Sequence, residues 1–188
     1  MSRDGGSSPC NPPTKLERLG CVSLSGPGQE DKWVFELRSF CDEDADAVWH
    51  LHDAALEDAG AHGGRGPWED DLRDIRGTYL DSGGDFLVGL LDGELVAMGG
   101  LLIRAAEEAE IKRMRVPPEF QRRGFARFLL AKLEERAEAL GARAICLDTT
   151  GQRTAARRLY KSAGYRETGR RQTARFLFID FTKGLEPR

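Results

Sequence analysis

A short basic segment that contains glycine, QRRGFA at residues 121–126, directly precedes a long amphipathic helix pattern. A helix N-terminus leaves backbone N–H groups unpaired and carries about half a positive charge, so it attracts anions. Gly124 lets the backbone approach an anion without an intervening Cβ, and Ala126 keeps the next turn small. Positive charge is added by Arg122, Arg123 and Arg127. The spacing therefore predicts a site for a phosphate or a pyrophosphate.

Two common phosphate-binding motifs do not occur in the sequence. The pattern GxxxxGK[ST] is missing, which excludes a Walker P-loop, and no GxGxxG follows a first strand, which disfavours dinucleotide binding. A helix that begins with arginines is also often no more than a capped helix. Taken alone, the segment leaves that purely structural interpretation open.

The pattern around this segment alternates strands and helices over residues 31–188, whereas residues 1–30 are rich in Gly, Ser and Pro and are predicted to form a flexible tail. Asp92-Gly93 is a strong hairpin signal between two apolar runs. Pro117-Pro118 ends a third run, because proline donates no hydrogen bond to a sheet. The predicted order is β-α-α-β-β-β-α-β-α-β, a mixed sheet with helices on both faces and hence an α/β or α+β domain.

Charge is divided unevenly along the chain. Residues 31–109 contain 19 acidic and 6 basic residues, whereas residues 110–175 contain 7 acidic and 17 basic residues. This division predicts two electrostatic environments, although solvated helix faces would also produce it. Four cysteines without metal-ligand spacing disfavour a zinc site and suit a reducing cytoplasm. No apolar run reaches the roughly 20 residues of a membrane helix, and no signal peptide is apparent.

Three further segments give the QRRGFA turn a context, namely EIKRM before it, FARFLLAKLEERAEALG after it and LYKSAGY nearer the C-terminus. Together they closely resemble the GNAT superfamily of N-acetyltransferases, whose signature is [Q/R]-x-x-G-x-[G/A] at the start of the helix after the fourth strand. Gln121, Gly124 and Ala126 occupy its defined positions. The resemblance extends from Trp33 to the C-terminus. It implies one domain with a twisted, mostly antiparallel sheet of about six or seven strands, in which strands four and five separate to admit a cofactor.

The resemblance implies that acetyl-CoA is the cosubstrate and that no metal takes part. The pyrophosphate is expected on the backbone N–H groups of residues 122–127, and the pantetheine arm along strand four. Many relatives carry Asn where this chain has Arg153, which is expected either to reach a phosphate or to lose that contact. The predicted cofactor site comprises Met114, Arg115, Val116, Gln121, Arg122, Arg123, Gly124, Phe125, Ala126, Arg127 and Arg153.

Two residues are predicted to catalyse acetyl transfer to an amine. An amine with a pKa of about 10.4 is almost fully protonated at pH 7, so a carboxylate must take its proton. Glu110 is the candidate, because it precedes Met114 by an even number of residues, which would put both on one face of strand four. It also matches the catalytic glutamate of histone-acetylating relatives, although it could instead pair with a neighbouring basic residue. Tyr160 lies where many relatives place a tyrosine that protonates the departing thiolate, although it could also be a core residue.

The first two helices usually build the acceptor site in relatives, and here they are acidic. Their carboxylates are Asp42, Glu43, Asp44, Asp46, Asp53, Glu57, Asp58, Asp70, Asp71 and Asp74. This composition favours a small cationic amine or a peptide amine as the acceptor. The resemblance implies that the acceptor is a primary amine that attacks acetyl-CoA directly in a ternary complex. The alternatives are an acetyl-CoA sensor of the same fold without catalysis and a nucleic-acid-binding module that uses the basic half. The sequence leaves a homodimer open.

Overall fold

The computed structural model describes residues 18–25, 32–58, 66–105 and 107–185. The strands in these ranges are β1 Arg18–Ser25, β2 Lys32–Ser39, β3 Asp85–Leu91, β4 Glu94–Ala105, β5 Glu108–Arg115, β6 Ala144–Thr150, β7 Arg166–Gln172 and β8 Leu177–Gly184. The α-helices are α1 Ala45–Asp58, α2 Asp70–Arg73, α3 Phe125–Ala139 and α4 Thr154–Ser162. Short 3-10 helices occupy Asp42–Asp44, Pro67–Glu69 and Pro118–Phe120, and a π-helical turn occupies Arg76–Leu80.

The strands form one sheet in the order β1-β2-β3-β4-β5-β6-β8-β7. Every neighbouring pair is antiparallel except β5 and β6, which are parallel. One face of the sheet packs against α3 and α4, and the other packs against α1, α2 and the π-helical turn. The predicted mixed, mostly antiparallel sheet with helices on both faces is therefore confirmed.

Two strands of this sheet were not predicted. β1 lies within residues 1–30, so the prediction of a flexible tail is wrong for residues 18–25, which pair with β2. The other residues of that predicted tail lie outside the described ranges. β7 is the opposite edge of the sheet, and none of its side chains is buried. Because such a strand has no apolar face to bury, RETGRRQ carries no alternating strand signal.

Local sequence signals account for the elements that frame the site. Asp92 and Gly93 have φ values of 50° and 91°, as a tight hairpin turn between β3 and β4 requires. In α3, Leu133 and Ala137 lie four residues apart and are both fully buried against the sheet. Gly141, with a φ of 89°, follows the end of that helix and stops it.

Strands β5 and β6 pair along only part of their lengths. Their parallel register runs from Glu108 opposite Ala144 to Ile111 opposite Leu147. Beyond this point β5 continues to its end at Arg115 and β6 to its own end, without pairing to each other. These strands are the predicted strands four and five, renumbered because β1 precedes them, and their predicted separation is confirmed.

Candidate active site

The separated ends of β5 and β6 open onto a cavity of about 640 Å³. Its walls come from the end of β5, the turn before α3, the end of β6, and α4. Every residue of the predicted cofactor site except Arg123 lines this cavity, as does Tyr160. Glu110 is not among the lining residues. The structure thus brings one of the two candidate catalytic residues to the same space as the candidate cofactor residues.

The turn before α3 exposes backbone donors to this cavity. Gly124 has a φ of 92° and Arg122 a φ of 64°, so two left-handed residues reverse the chain immediately before the helix. The first hydrogen bond of α3 joins the N–H of Phe128 to the carbonyl of Gly124 at 3.0 Å. The N–H groups of residues 125–127 therefore precede the first bonded turn of the helix. A Cβ placed on Gly124 would have no atom within 4 Å, so the position that a side chain would occupy there is open space.

Side chains around the turn have separate roles in the structure. The Gln121 side-chain amide nitrogen donates to the carbonyl oxygen of Val116 at 3.0 Å and so ties the turn to the end of β5. Arg127 donates to the Ser162 hydroxyl at 2.8 Å and links α3 to α4. Arg123 stacks over the Phe120 ring at 5.6 Å from its centroid, which keeps its side chain out of the cavity wall.

A β-bulge at Arg113 changes which β5 side chains share a face. Lys112 pairs with Gly100 and Arg115 pairs with Met98, so β5 has one residue more than β4 over this stretch. Arg113 itself has a φ of 58°. Met114 consequently packs against the α3 side of the sheet, whereas Met98, opposite Arg115, belongs to the α1–α2 side.

Glu110 lies on the α1–α2 face of the sheet. It pairs with Leu102, which packs against the α1–α2 core, and its carboxylate bonds to the Arg104 guanidinium. The expectation that Glu110 and Met114 share a face is therefore wrong, because the bulge inserts a residue between them. A count of residues along a strand assumes unbroken alternation, and the sequence gives no sign of this bulge.

The bulge is held by a network that connects β5 to α2. The Arg113 guanidinium donates to both carboxylate oxygens of Asp71 at 2.8 and 2.5 Å and to the carbonyl of Trp68 at 2.5 Å. The Tyr79 hydroxyl donates to the same carboxylate at 2.6 Å. Burial by itself would raise the pKa of Asp71, but these two donors outweigh burial and hold that pKa below its usual value.

Tyr160 is a buried residue of α4 that still reaches the cavity. Its ring contacts Tyr165 and Phe181, each with centroids 5.9 Å away. Burial raises the pKa of Tyr160 to about 12, although the nearby Arg115 and Arg153 favour the phenolate. At neutral pH its hydroxyl is therefore protonated and able to donate.

Two arginines occupy the cavity wall near Tyr160. The Arg115 Nη1 donates to the carbonyl of Met114 at 2.9 Å, and Arg153 donates to the carbonyl of Ala55, in α1, at 3.4 Å. Burial, reinforced by repulsion from Arg153, lowers the pKa of Arg115 to about 10. Arg153 thus contacts α1 rather than the turn at Gly124.

Arg115 also influences a buried pair behind this wall. His52 and Glu69 are 1% and 2% exposed and lie 3.1 Å apart between ring Nε2 and carboxylate Oε1. Burial, followed by repulsion from Arg115, lowers the pKa of His52, so that the imidazole is neutral at pH 7. The pair connects α1 to the 3-10 helix before α2.

Several residues that line the cavity were not predicted. They are Ala55, Pro118, Phe120, Thr150, Gln152, Thr154, Ala155, Ala156 and Leu159. The end of β6 and the start of α4 could have been inferred from the separation of strands four and five, since both must face the gap. Ala55 could not have been inferred, because no local signal indicates which turn of α1 meets the cavity.

Within the described ranges, no group of three or more His, Cys, Asp and Glu residues is arranged to hold a metal ion. No helix in the described part of the chain is both long and apolar enough to cross a membrane.

Curated proteins share sequence with about half of the chain. Human N-acetylaspartate synthetase is 38% identical over 103 residues, which cover 53% of this chain and 33% of that protein. N-acetylaspartate synthetase of Danio rerio is 33% identical over 101 residues, which cover 53% of this chain and 36% of that protein. The chain spans about a third of the length of the curated relatives it matches.

Solved structures share the fold. A GNAT-family acetyltransferase from Staphylococcus aureus Mu50 superposes with a TM-score of 0.73 at 18% identity, over 81% of this chain and 99% of that chain. The structure of yncA from Salmonella typhimurium with its cofactor acetyl-CoA superposes with a TM-score of 0.68 at 19% identity, over 82% of this chain and 95% of that chain. PaiA N-acetyltransferase from Thermoplasma acidophilum, in complex with coenzyme A, superposes with a TM-score of 0.61 at 19% identity, over 78% of this chain and 97% of that chain.

The family assignment agrees with the site geometry. The family model described as acetyltransferase (GNAT) family matches residues 45–165, which is more than half of the chain. The resemblance inferred from the Gly124 turn and its flanking segments is thereby confirmed. The chain belongs to the GNAT family of acetyltransferases, and so to the acyltransferases.

Proposed function

We propose that this chain moves the acetyl group of acetyl-CoA to a primary amine by direct attack in a ternary complex. The observation that carries the proposal is one continuous cavity, which joins the turn at Gly124 to the unpaired ends of β5 and β6 and to Tyr160. A cytoplasmic location is proposed with it, on the basis of the free thiols Cys41 and Cys146.

The cavity fits coenzyme A at two places. Helix N–H groups at residues 125–127 precede the first bonded turn and suit a diphosphate, with Arg122 and Arg127 nearby. The end of β5, at Met114 and Arg115, and Val116 after it have no β6 neighbour, and an extended amide chain would satisfy such a strand edge. Acetyl-CoA supplies the acetyl group as an activated thioester.

Direct attack is favoured over an acetylated cysteine. In the described part of the chain no cysteine lines the cavity. Cys146, on β6, lies outside the cavity wall, and burial together with Glu110 and Glu108 raises the pKa of its thiol. A thiol that stays protonated is a poor nucleophile. Initial-rate kinetics should therefore give intersecting double-reciprocal lines, as a ternary complex requires.

Two groups are proposed to assist the transfer. Tyr160 would donate to the thiolate as it leaves, since its hydroxyl is protonated and faces the cavity. Because of the bulge, part of the β5 backbone at Arg113 is not paired with β4. A backbone N–H from this stretch would donate to the oxyanion of the tetrahedral intermediate.

Glu110 stays the proposed general base. It lies on the α1–α2 face of β5, the same face as Arg115 opposite Met98, and would act through water because it does not line the cavity. Glu110→Gln should lower kcat most at neutral pH. The difference from wild type should shrink as the pH rises toward the acceptor pKa of about 10.4, where solvent itself deprotonates the amine. A pH–rate profile of the variant that parallels the wild-type profile would remove Glu110 from the mechanism.

The proposal is tested by thiol release from acetyl-CoA across a panel of amines. The panel contains spermidine and a lysine peptide, since the acidic first helices favoured a cationic acceptor, and L-aspartate, since the curated relatives are named for N-acetylaspartate. Turnover with any member, and a thermal shift with coenzyme A, are expected. A thermal shift without turnover would support the non-catalytic sensor instead, and no coenzyme A binding would overturn the proposal altogether.

A further inference from the structure

Of the two arginines near Tyr160, Arg153 lies at the opposite end of α4 from the proposed diphosphate site. α4 has nine residues and is about 13 Å long. Arg153 directly precedes its first residue, whereas Arg127 contacts Ser162, its last residue. The cavity therefore has a turn end, at Gly124 and Arg127, and an α1 end, at Arg115 and Arg153. Arginines at the α1 end are poorly placed to hold a diphosphate bound at the turn end.

Arg115 carries a charge that the protein does not neutralise. Within the described ranges its guanidinium donates only to the Met114 carbonyl, and its Nε is buried without a partner. Among the described residues no carboxylate lies within ion-pair distance of either Arg115 or Arg153. Burial and repulsion from Arg153 make the Arg115 charge costly, and an anion bound beside it would relieve that cost.

The carboxylates of the first helices form no ion pair with Arg115, and several are engaged elsewhere. Asp71 is bound by Arg113, Asp44 by Arg38, Asp42 by Arg76 and Asp70 by Arg73. No Asp or Glu is among the residues described as lining the cavity. The acidic composition that favoured a cationic acceptor is thus not reproduced on the cavity wall.

We propose that Arg115, assisted by Arg153, binds a carboxylate of the acceptor, so that the acceptor is an amine that also bears a carboxylate rather than a polyamine. This inference rests on the proposed function, since it concerns the acceptor of the same reaction. A guanidinium binds a carboxylate through two parallel hydrogen bonds, and such bonds are strong where water is excluded. Arg115 is then a specificity-determining residue, which holds the amine next to Tyr160.

The test compares acceptors that differ only in the carboxylate. L-alanine and L-alaninamide share the same amine and methyl group, with L-aspartate and spermidine as the anionic and cationic extremes. We expect kcat/KM to be higher for L-alanine than for L-alaninamide, and higher for L-aspartate than for spermidine. Arg115→Gln should raise KM for L-aspartate by about 10- to 100-fold, the range of a lost charged hydrogen bond. KM for acetyl-CoA and for L-alaninamide should change by less than about twofold.

Two further variants control the interpretation. Arg115→Lys keeps the charge but not the paired geometry, and should give a KM for L-aspartate between those of wild type and Arg115→Gln. Arg166→Gln, an exposed arginine on β7 away from the cavity, should leave every KM unchanged. The Tm of Arg115→Gln should not fall, because the substitution removes an unpaired buried charge.

Failure of this inference can be separated from failure of the proposed function. Efficient turnover of spermidine and L-alaninamide but not of the carboxylates would overturn the inference and leave acetyl transfer intact. A rise in KM for acetyl-CoA in Arg115→Gln would assign the arginine to the cofactor and overturn it equally. No turnover of any amine would contradict the proposed function, and absence of L-aspartate binding to the protein saturated with coenzyme A would then contradict the inference as well.

Discussion

The two walls of the cavity are built differently. The cofactor wall, residues 114–127, is one continuous segment whose shape comes from backbone torsions at Arg122 and Gly124. The α1–α2 wall comprises α1, of which Ala55 lines the cavity, together with α2 and the β5 bulge, which lie outside the lining. It is held by ion pairs between distant segments, such as Asp71 with Arg113, 42 residues apart. We therefore expect changes in the cofactor wall to impair ligand binding and to cost less stability than changes in the α1–α2 wall, which mainly impair folding.

The largest effect is expected from Asp71→Ala in the α1–α2 wall. Asp71 and Arg113 are each 12% exposed, and removal of the carboxylate leaves Arg113 and the Tyr79 hydroxyl without their acceptor. The free energy of unfolding should fall by about 3 kcal/mol, as when one partner of a buried pair is lost. Asp70→Ala is the matched control, because the neighbouring pair of Asp70 and Arg73 is 63% and 49% exposed and should contribute less than about 0.5 kcal/mol. Urea denaturation measures both values.

The same variant has a defined pH dependence. The folded-state pKa of Asp71 lies below its unfolded value, so its contribution to stability is present above the unfolded pKa of about 3.9 and is lost as pH falls through the folded pKa. The gap in unfolding free energy between wild type and Asp71→Ala should therefore narrow in strong acid. Equal losses for Asp70→Ala and Asp71→Ala at pH 7 would contradict the inference that buried ion pairs such as Asp71 with Arg113 hold the α1–α2 wall together.

The contrast between the walls also explains what the sequence could predict. The Gly124 turn is a local feature, because a helix start, a glycine and its neighbours determine it within a few residues. The separation of β5 and β6 followed from the family resemblance that this turn supported. The bulge at Arg113 depends on contacts with Asp71 and Trp68, which are more than 40 residues away in sequence. No local sequence pattern therefore predicted it.

The prediction that Glu110 and Met114 share a face was wrong for the same reason, since residue counting cannot detect an inserted residue in a strand. The charges of the first helices were read correctly as acidic, but their partners are set by tertiary structure. Asp44 faces Arg38 and Asp71 faces Arg113, and neither pairing follows from composition. Composition therefore predicted the net charge of the α1–α2 wall but not the charge that reaches the cavity.

An intermediate effect is expected for Tyr160→Phe, on α4, which lines the same cavity but belongs to neither of these two walls. Loss of the hydroxyl should lower kcat by about 100-fold, at the lower end of general acid contributions, and leave the Kd for coenzyme A nearly unchanged. Tyr165→Phe is the control, since Tyr165 is also buried and lies 5.9 Å from Tyr160 between ring centroids but does not line the cavity. Single-turnover kinetics isolates the chemical step. If the Tyr160→Phe enzyme is as fast as the Tyr165→Phe enzyme, Tyr160 is a core residue and does not protonate the departing thiolate.

The smallest of these effects is expected for Gly124→Ala, which alters the cofactor wall alone. Gly124 and Gly141 flank opposite ends of α3 with φ values of 92° and 89°, and a Cβ on either meets no atom within 4 Å. Both alanine variants should therefore lose the same stability, about 1 to 2 kcal/mol, because an alanine in the left-handed region is strained. Only Gly124→Ala should weaken coenzyme A binding, by about tenfold, since its methyl group stands where an anion must approach the helix N–H groups.

Calorimetric titration of both glycine variants with coenzyme A distinguishes the effect of backbone strain from obstruction of the ligand by the added methyl group. Equal stability with unequal Kd means that the backbone at Gly124 contacts the ligand, because the two substitutions are alike in strain and differ only in which end of α3 they occupy. Equal Kd values would mean that no anion approaches this turn, and the cofactor wall would then lose its proposed role although its left-handed geometry remained. The comparison thus tests ligand contact at the one position in this wall where the backbone, rather than a side chain, is proposed to bind.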